Sequence, residues 1–126
     1  MEQKDGKKMN RRTVGTQAED KAAEYLQSCG VQILERNYRN RSGEIDMIGM
    51  HDGYLVFVEV KYRTSQKKGN PEEAVGIAKQ KNICKVADYY RCTHRVPLST
   101  AVRYDVVAVL GEEIRWYRNA FPHMYR

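Results

Sequence analysis

The sequence predicts an α/β domain with the element order α-β-β-β-α-β-β. Good helix formers dominate residues 14–28, and their apolar side chains recur at helical spacing. Two strand-like runs, 44–50 and 54–63, flank the dipeptide Asp52-Gly53, which is typical of a tight hairpin. Residues 101–110 are rich in β-branched side chains, which favour a strand.

The remaining elements follow from local signals. Residues 31–38 are predicted to form a first strand, with the polar, basic run 39–43 as the turn behind it. A second helix is predicted from residue 71 to about residue 90, because it opens with proline and two acidic residues, which suit a helix N-terminus. Gly111 ends the fourth strand, and a short final strand covers 114–117.

The length of 126 residues allows one compact domain. Residues 1–12 are charged and predict a basic, disordered arm, and residues 13–126 are expected to form a single domain. No apolar stretch approaches the length needed to cross a bilayer, and no secretory signal follows the N-terminus. Cys29, Cys84 and Cys92 lack the spacing of a zinc site or a disulfide framework, so we expect reduced thiols and a cytoplasmic location.

The strand predicted over residues 54–63 carries two charged side chains in an apolar setting. Side chains alternate between the faces of a strand, so Glu59 and Lys61 share the face of Phe57. A strand this apolar is expected to be central, which would leave both charges partly buried. Buried charges are costly unless they are paired or bind a metal.

A second carboxylate is expected beside Glu59. If the predicted hairpin pairs, Asp46 comes close to Glu59 on the same face of the sheet. Alternation also places Asp46 on the face of Ile48, with Ile45 on the opposite face. Two adjacent carboxylates repel each other, so the pair requires cations: Lys61 supplies one charge, and a hard divalent ion such as Mg²⁺ would supply the rest.

Glu19 joins this group from the first helix. It lies on or beside the apolar stripe of Ala22, Ala23 and Leu26, an unusual place for a carboxylate. Each feature alone is more often structural, since a Glu-x-Lys on a strand is usually an exposed ion-pair face and an inward Glu is usually a helix-edge residue. Together in one small basic domain, these residues favour a metal site.

A family resemblance rests on two motifs, GEIDMI at residues 43–48 and FVEVKYR at residues 57–63. They resemble the signature of the YraN-like family of bacterial proteins. The resemblance covers residues 14–109 and extends to Gly15, Ala18-Glu19, Asn37-Tyr38-Arg39, Lys79-Gln80 and Arg103-Tyr104-Asp105. That family is placed in the restriction-endonuclease-like PD-(D/E)XK superfamily and is similar to archaeal Holliday-junction resolvases. The resemblance implies an α-β-β-β-α-β core with a central mixed sheet flanked by helices, although Ile45 replaces the proline of the superfamily motif.

The resemblance also implies the ligands of a metal ion. Asp46 and Glu59 would bind Mg²⁺, or Mn²⁺ in its place, with the backbone carbonyl of Val60 as a further oxygen ligand. Glu19 would complete the site from the first helix, directly or through water.

Two further residues gain catalytic roles from the resemblance. Lys61 would orient or help to deprotonate the attacking water and would offset charge on the phosphorane. Gln80 would touch the metal shell or the substrate phosphate. A metal ion in such a site lowers the pKa of its bound water, polarises the phosphate and orients the in-line attack.

The net charge of +6 favours a polyanionic partner, since lysine and arginine on phosphates release condensed counterions. The candidate contacts to a nucleic-acid backbone around the site are Arg39, Arg41, Arg63, Lys67, Lys68 and Lys79. A solvated basic face is the alternative for each of them. Tyr25, Tyr89 and Tyr90, on predicted helices, are expected to serve core or groove packing more than base stacking.

The leading interpretation is a Mg²⁺-dependent nuclease that hydrolyses DNA phosphodiesters. Branched or structured DNA fits better than a defined sequence, because no base-reading element is evident. The alternative is a non-catalytic nucleic-acid-binding module that retains the nuclease fold. A third interpretation is an adaptor that binds a protein through the sheet edge or the segment near Phe121-Pro122. Junction-cutting relatives commonly act as dimers, so the resemblance implies that this protein could form a homodimer.

Overall fold

The computed structural model describes residues 11–63 and 75–124. Its elements are α1 (Arg11–Ser28), β1 (Gln32–Asn40), β2 (Gly43–His51), β3 (Tyr54–Arg63), α2 (Ile77–Thr93), β4 (Ala101–Leu110) and β5 (Glu113–Tyr117). The five strands form one sheet in the order β1-β2-β3-β4-β5. Only the β3–β4 pair is parallel among these neighbours, so the sheet is mixed. The α/β fold and the element order predicted from the sequence are confirmed.

The first helix and strand differ from the prediction at their ends. α1 begins at Arg11, inside the segment predicted as an arm, and the rest of that segment lies outside the described residues. The helix ends at Ser28, as predicted, and Gly30 follows with a φ of +97° that suits glycine. β1 runs on to Asn40, because the two residues expected to open the turn pair with the start of β2.

The second helix begins at Ile77 and runs to Thr93, three residues beyond the predicted end. Gly76 precedes it in an extended conformation and forms no side-chain cap. The first turn predicted at residues 71–73 lies outside the described residues. Within the described part of the chain, no helix combines the length and the apolar character that crossing a membrane requires.

The two helices cover opposite faces of the sheet, each over its own apolar cluster. The cluster under α2 includes Ile45, Ile48, Leu55, Phe57, Ile83, Val86, Tyr90 and Tyr104. The cluster under α1 includes Ala22, Leu26, Met47, Val56, Val58, Val107 and Val109. β3 alternates between the two clusters, which confirms it as a central strand with both faces covered.

β2 departs from simple alternation near its start. Ile45 and Ile48 both belong to the cluster under α2, although Met47 belongs to the cluster under α1. The prediction that Ile45 and Ile48 lie on opposite faces is therefore wrong. The departure coincides with an irregularity in the neighbouring strand, where Asn37 adopts a left-handed φ of +55° just before Tyr38, the partner of Ile45, and interrupts the regular pleat.

A buried ion pair between Arg103 and Asp105 lies in the first half of β4, where this strand pairs with Val56 and Val58 of β3. The side chain of Asp105 is fully buried and accepts hydrogen bonds from Arg103 Nε at 3.0 Å and Trp116 Nε1 at 2.8 Å. The backbone N–H of Asn119 donates to the same carboxylate at 2.9 Å, and His51 Nδ1 lies 3.1 Å from the Arg103 guanidinium. This network is saturated with partners, as a buried charge requires.

Replacing Gly49 with alanine is expected to destabilise the fold by about 1–3 kcal/mol. A Cβ atom there would lie 2.7 Å from the carbonyl oxygen of Gln32 and 2.9 Å from Cγ1 of Val31, so the β1–β2 pair would have to move apart. The free energy of unfolding from urea denaturation measures the effect.

Gly15→Ala is the matched control. A Cβ atom at Gly15 meets nothing within 4 Å, and the position lies inside α1. Alanine is the better helix former, so this variant is expected to gain about 0.5–1 kcal/mol. Equal effects of the two substitutions would contradict the close approach at Gly49.

Candidate functional site

The candidate site lies where β2 and β3 separate. Backbone pairing between them ends at Met47 and Val58, so the next positions in this antiparallel register are Asp46 and Glu59. No backbone pair forms there; instead, Asp46 Oδ2 accepts a hydrogen bond from the backbone N–H of Val60 at 2.7 Å. The side chain of Asp46 therefore occupies the gap between the two strands, next to Glu59.

Asp46 lies in a negative electrostatic environment. Burial raises the pKa of this carboxyl group most, followed by the charge of Glu59, to about 7. The hydrogen bond from Val60 lowers the pKa, whereas the charges of Glu19 and Glu44 raise it further. The surroundings of Asp46 therefore favour a proton or an added cation over a bare carboxylate.

Glu59 is buried and lies between two lysines. Its Oε2 atom is 3.5 Å from Nζ of Lys61 on the same strand and 3.3 Å from Nζ of Lys79 on α2. Lys79 was expected to contact a nucleic-acid backbone, and the structure turns it onto this carboxylate. About half of the Lys79 side chain remains exposed, so the ammonium group also faces solvent.

Glu19 reaches the same end of the sheet from α1. Burial raises the pKa of Glu19, and a hydrogen bond from Asn37 and the charge of Arg36 lower it. The Arg36 guanidinium lies 3.8 Å from Glu19 Oε1. With its amide nitrogen turned toward the acids, Asn37 donates to Glu44 Oε2 at 3.0 Å and to Glu19 Oε1 at 3.3 Å.

The bridging role of Asn37 was not predicted from the sequence. The residue belongs to the segment that carries the family resemblance, but no chemistry was assigned to it. A signal was present, because asparagine is among the few residues that tolerate a positive φ. Its left-handed backbone interrupts the regular pleat of β1, and its amide lies between the carboxylates of Glu19 on α1 and Glu44 on β2.

Gln80 lies at the start of α2 with its side chain turned inward. It is buried, and its amide nitrogen donates to the carbonyl oxygen of Val75 at 2.7 Å. This contact fastens the chain that enters α2. A role for Gln80 at a metal ion or phosphate stays a prediction.

The other residues predicted to contact a nucleic-acid backbone are dispersed around the site. Arg39 lies 3.4 Å from Glu44, and Arg63 donates to the carbonyl oxygen of Tyr62 at 3.1 Å. Arg41 lines a groove between the β1–β2 turn and α2. The remaining two, Lys67 and Lys68, lie outside the described residues.

The donor set fits a hard divalent cation held by few protein ligands. In residues 11–63 and 75–124, no three acidic, histidine or cysteine side chains converge closely enough to hold a metal ion. Mg²⁺ commonly binds through one or two carboxylates and completes its shell with water and substrate phosphates. Asp46 and Glu59 supply such a pair, and a cation between them would relieve their repulsion. The carbonyl of Val60 points to the same side of β3 as the N–H that bonds Asp46.

Comparisons with known proteins agree on one family. The profile of "Uncharacterised protein family UPF0102" matches residues 18–109. A UPF0102 protein of Lachnoclostridium phytofermentans is 55% identical over 113 residues, which is 90% of this chain and 96% of that protein. A UPF0102 protein of Persephonella marina is 40% identical over 88% of this chain and 95% of its own length. A third, from Acetivibrio thermocellus, is 42% identical over 96% of this chain and all of its own length.

The raised pKa of Asp46 predicts that stability falls as the pH rises. The ordinary pKa of aspartate is 3.8, so between about pH 4 and pH 7 the folded protein holds a proton that the unfolded chain has released. Folding is therefore favoured below this window and loses up to about 4 kcal/mol across it. Asp46→Asn is expected to remove that loss, measured by urea denaturation at pH 5 and pH 8.

Glu24→Gln is the control for this experiment, because it removes one negative charge from the exposed face of α1. It should leave the pH profile of the natural protein intact. If the free energy of unfolding of Asp46→Asn depends on pH as steeply as that of the natural protein, Asp46 does not hold the proton.

Proposed function

This chain belongs to the Uncharacterised protein family UPF0102, and from its site we propose that it is a metal-dependent nuclease of the PD-(D/E)XK superfamily. The observation that carries the proposal is the convergence of Asp46 and Glu59 in the gap between β2 and β3, with Lys61 beside Glu59. The α-β-β-β-α-β order around a mixed sheet supports the superfamily assignment.

The acidic residues would hold one Mg²⁺ ion, with Mn²⁺ as a substitute. Asp46 and Glu59 provide carboxylate oxygens, Val60 provides its carbonyl, and Glu19 contributes through water from α1. When bound, the ion lowers the pKa of a water ligand and polarises the phosphate. The hydrogen bond from Val60 orients the Asp46 carboxylate before any ion arrives.

The lysines supply the positive charge that phosphodiester hydrolysis requires. The side chain of Lys61 is four-fifths buried, which limits its motion and holds its ammonium group against Glu59. From there it donates hydrogen bonds to the attacking water or a phosphate oxygen and offsets the negative charge that develops on phosphorus. Lys79 is more exposed and can leave Glu59 for a phosphate of the substrate.

DNA is the proposed substrate, with branched or structured DNA ahead of a defined sequence. The net charge of +6 favours a polyanion, and Arg39, Arg41 and Arg63 lie on three segments around the site. Phosphate contacts of this kind position DNA without reading bases. A homodimer and a cytoplasmic location complete the proposal; the three free thiols are compatible with that compartment.

A non-catalytic DNA-binding module is the second candidate function, and one observation favours it. Lys61 and Lys79 both lie within 3.5 Å of Glu59, so this carboxylate has positive partners without any metal ion. In that case the lysines would lock the acidic residue, and the basic surface would bind DNA without cutting it.

Cleavage of labelled DNA tests the proposed function. Four-way-junction, flap, single-stranded and duplex DNA would each be incubated with Mg²⁺, Mn²⁺ or EDTA. Metal-dependent cleavage of at least one form is expected, and Glu59→Gln or Lys61→Met should slow it by about two orders of magnitude or more. Gel electrophoresis of the products measures the rate.

Glu24→Gln, which lies on the exposed face of α1, should cleave at the natural rate. Binding without cleavage under every metal condition would favour the non-catalytic module. Neither binding nor cleavage would reject both nucleic-acid functions and favour a protein adaptor.

Thermal unfolding tests the metal site without any substrate. A ligand that binds only the folded state raises the melting temperature as its concentration increases. Mn²⁺ and Mg²⁺ are expected to raise the melting temperature of the natural protein at pH 8. Asp46→Asn should abolish the shift, whereas Asp52→Asn, in the exposed β2–β3 turn, should preserve it. A metal-induced shift of equal size in Asp46→Asn would place the ion elsewhere.

A further inference from the structure

An open groove of about 540 Å³ lies between the β1–β2 turn and α2. Arg41 and Ser42 of the turn line one wall, and Lys85 and Tyr89 of the helix line the other. The groove is large enough for a nucleotide-sized ligand. None of the carboxylates of the proposed metal site lines it.

In the described part of the chain, the groove combines an exposed aromatic ring with two cationic side chains that form no ion pair. Arg41 and Lys85 form no ion pair with any other residue in the described part of the chain. Tyr89 lines the groove and is 53% exposed, so its ring is accessible to a ligand there. The acidic residue of the lining, Asp88, pairs with Arg91 at 3.8 Å and lies 3.5 Å from the ring of His123.

The groove and the carboxylate site lie at the same end of the sheet. Gly43, which follows the β1–β2 turn, packs 3.6 Å from Asn82 of α2, measured from an ideal Cβ position. Asn82, Lys85 and Tyr89 are exposed and recur at spacings of three and four, so they share one side of the helix. Lys79, which contacts Glu59, precedes Lys85 by six residues, or about 9 Å along the helix axis.

We propose that this groove binds an unpaired nucleotide of the DNA strand that is cut at the carboxylate site. The base stacks on the ring of Tyr89, and the neighbouring phosphates contact Arg41 and Lys85. Aromatic stacking accepts any base, because every base has a π face. It requires an unpaired nucleotide, since both faces of a base in a duplex are covered by its neighbours. The cutting step rests on the proposed nuclease function, but binding in the groove does not.

Fluorescence anisotropy in EDTA tests the groove separately from catalysis. The probes are a short labelled oligothymidylate and a labelled, blunt-ended, fully paired duplex. Tyr89→Ala is expected to weaken binding of the single strand by about five- to a hundredfold and to leave duplex binding nearly unchanged. Tyr89→Phe keeps the ring and should bind like the natural protein.

Charge variants provide a second measurement at the same groove. Lys85→Gln should weaken oligothymidylate binding and reduce the slope of log K against log salt by about 1. Arg118→Gln is the matched control, because Arg118 lies over the Trp116 ring beside β5 and away from α2. It should leave both the affinity and the slope unchanged.

The outcomes separate this proposal from the nuclease function. If Tyr89→Ala and Lys85→Gln bind the single strand as tightly as the natural protein, the groove proposal is overturned, even where the natural protein cleaves DNA. An equal loss with single strand and duplex would also overturn it, because stacking on an unpaired base would not be the cause. If the natural protein cuts nothing while Tyr89→Ala selectively loses the single strand, the groove stands and the nuclease function fails.

Discussion

The Met47–Val58 pair is the last between the backbones of β2 and β3. Beyond it, the carboxylate of Asp46 accepts the hydrogen bond from the backbone N–H of Val60. An unpaired backbone N–H inside a protein is costly, so this contact stabilises the open end of the sheet. It also holds a carboxylate in a poorly solvated gap beside Glu59, where its charge is disfavoured. The same hydrogen bond thus shapes the strand and holds the carboxylate where burial and Glu59 create the need for a cation.

The sheet treats two nearby buried charges in opposite ways, since Asp105 lies opposite Val58, one residue before Glu59. Asp105 receives donors from Arg103, Trp116 and Asn119, and its charge is satisfied within the fold. Among the described residues, Asp46 receives a single backbone hydrogen bond and faces other carboxylates. A saturated network contributes rigidity, whereas an unsaturated one leaves binding capacity for a ligand.

α2 connects the acidic centre to the surrounding surface. Its inward side packs on the sheet through Ile83, Val86 and Tyr90, which fixes the position of the helix. Its first turn brings Lys79 to Glu59, and its outward side carries the lysine and tyrosine of the groove. Because one rigid helix holds all these groups, the distance between centre and groove is set by its geometry.

The sequence alone determined the element order, the central position of β3 and the approach of Asp46 to Glu59, because hydrophobic periodicity and a two-residue hairpin turn are local signals. Tertiary structure decided the contacts that link distant segments. Lys79 turned to Glu59, Asn37 bridged α1 and β2, and Tyr89 faced solvent. No local pattern encodes these contacts. Each depends on how a helix is placed over the sheet or on the left-handed backbone of Asn37.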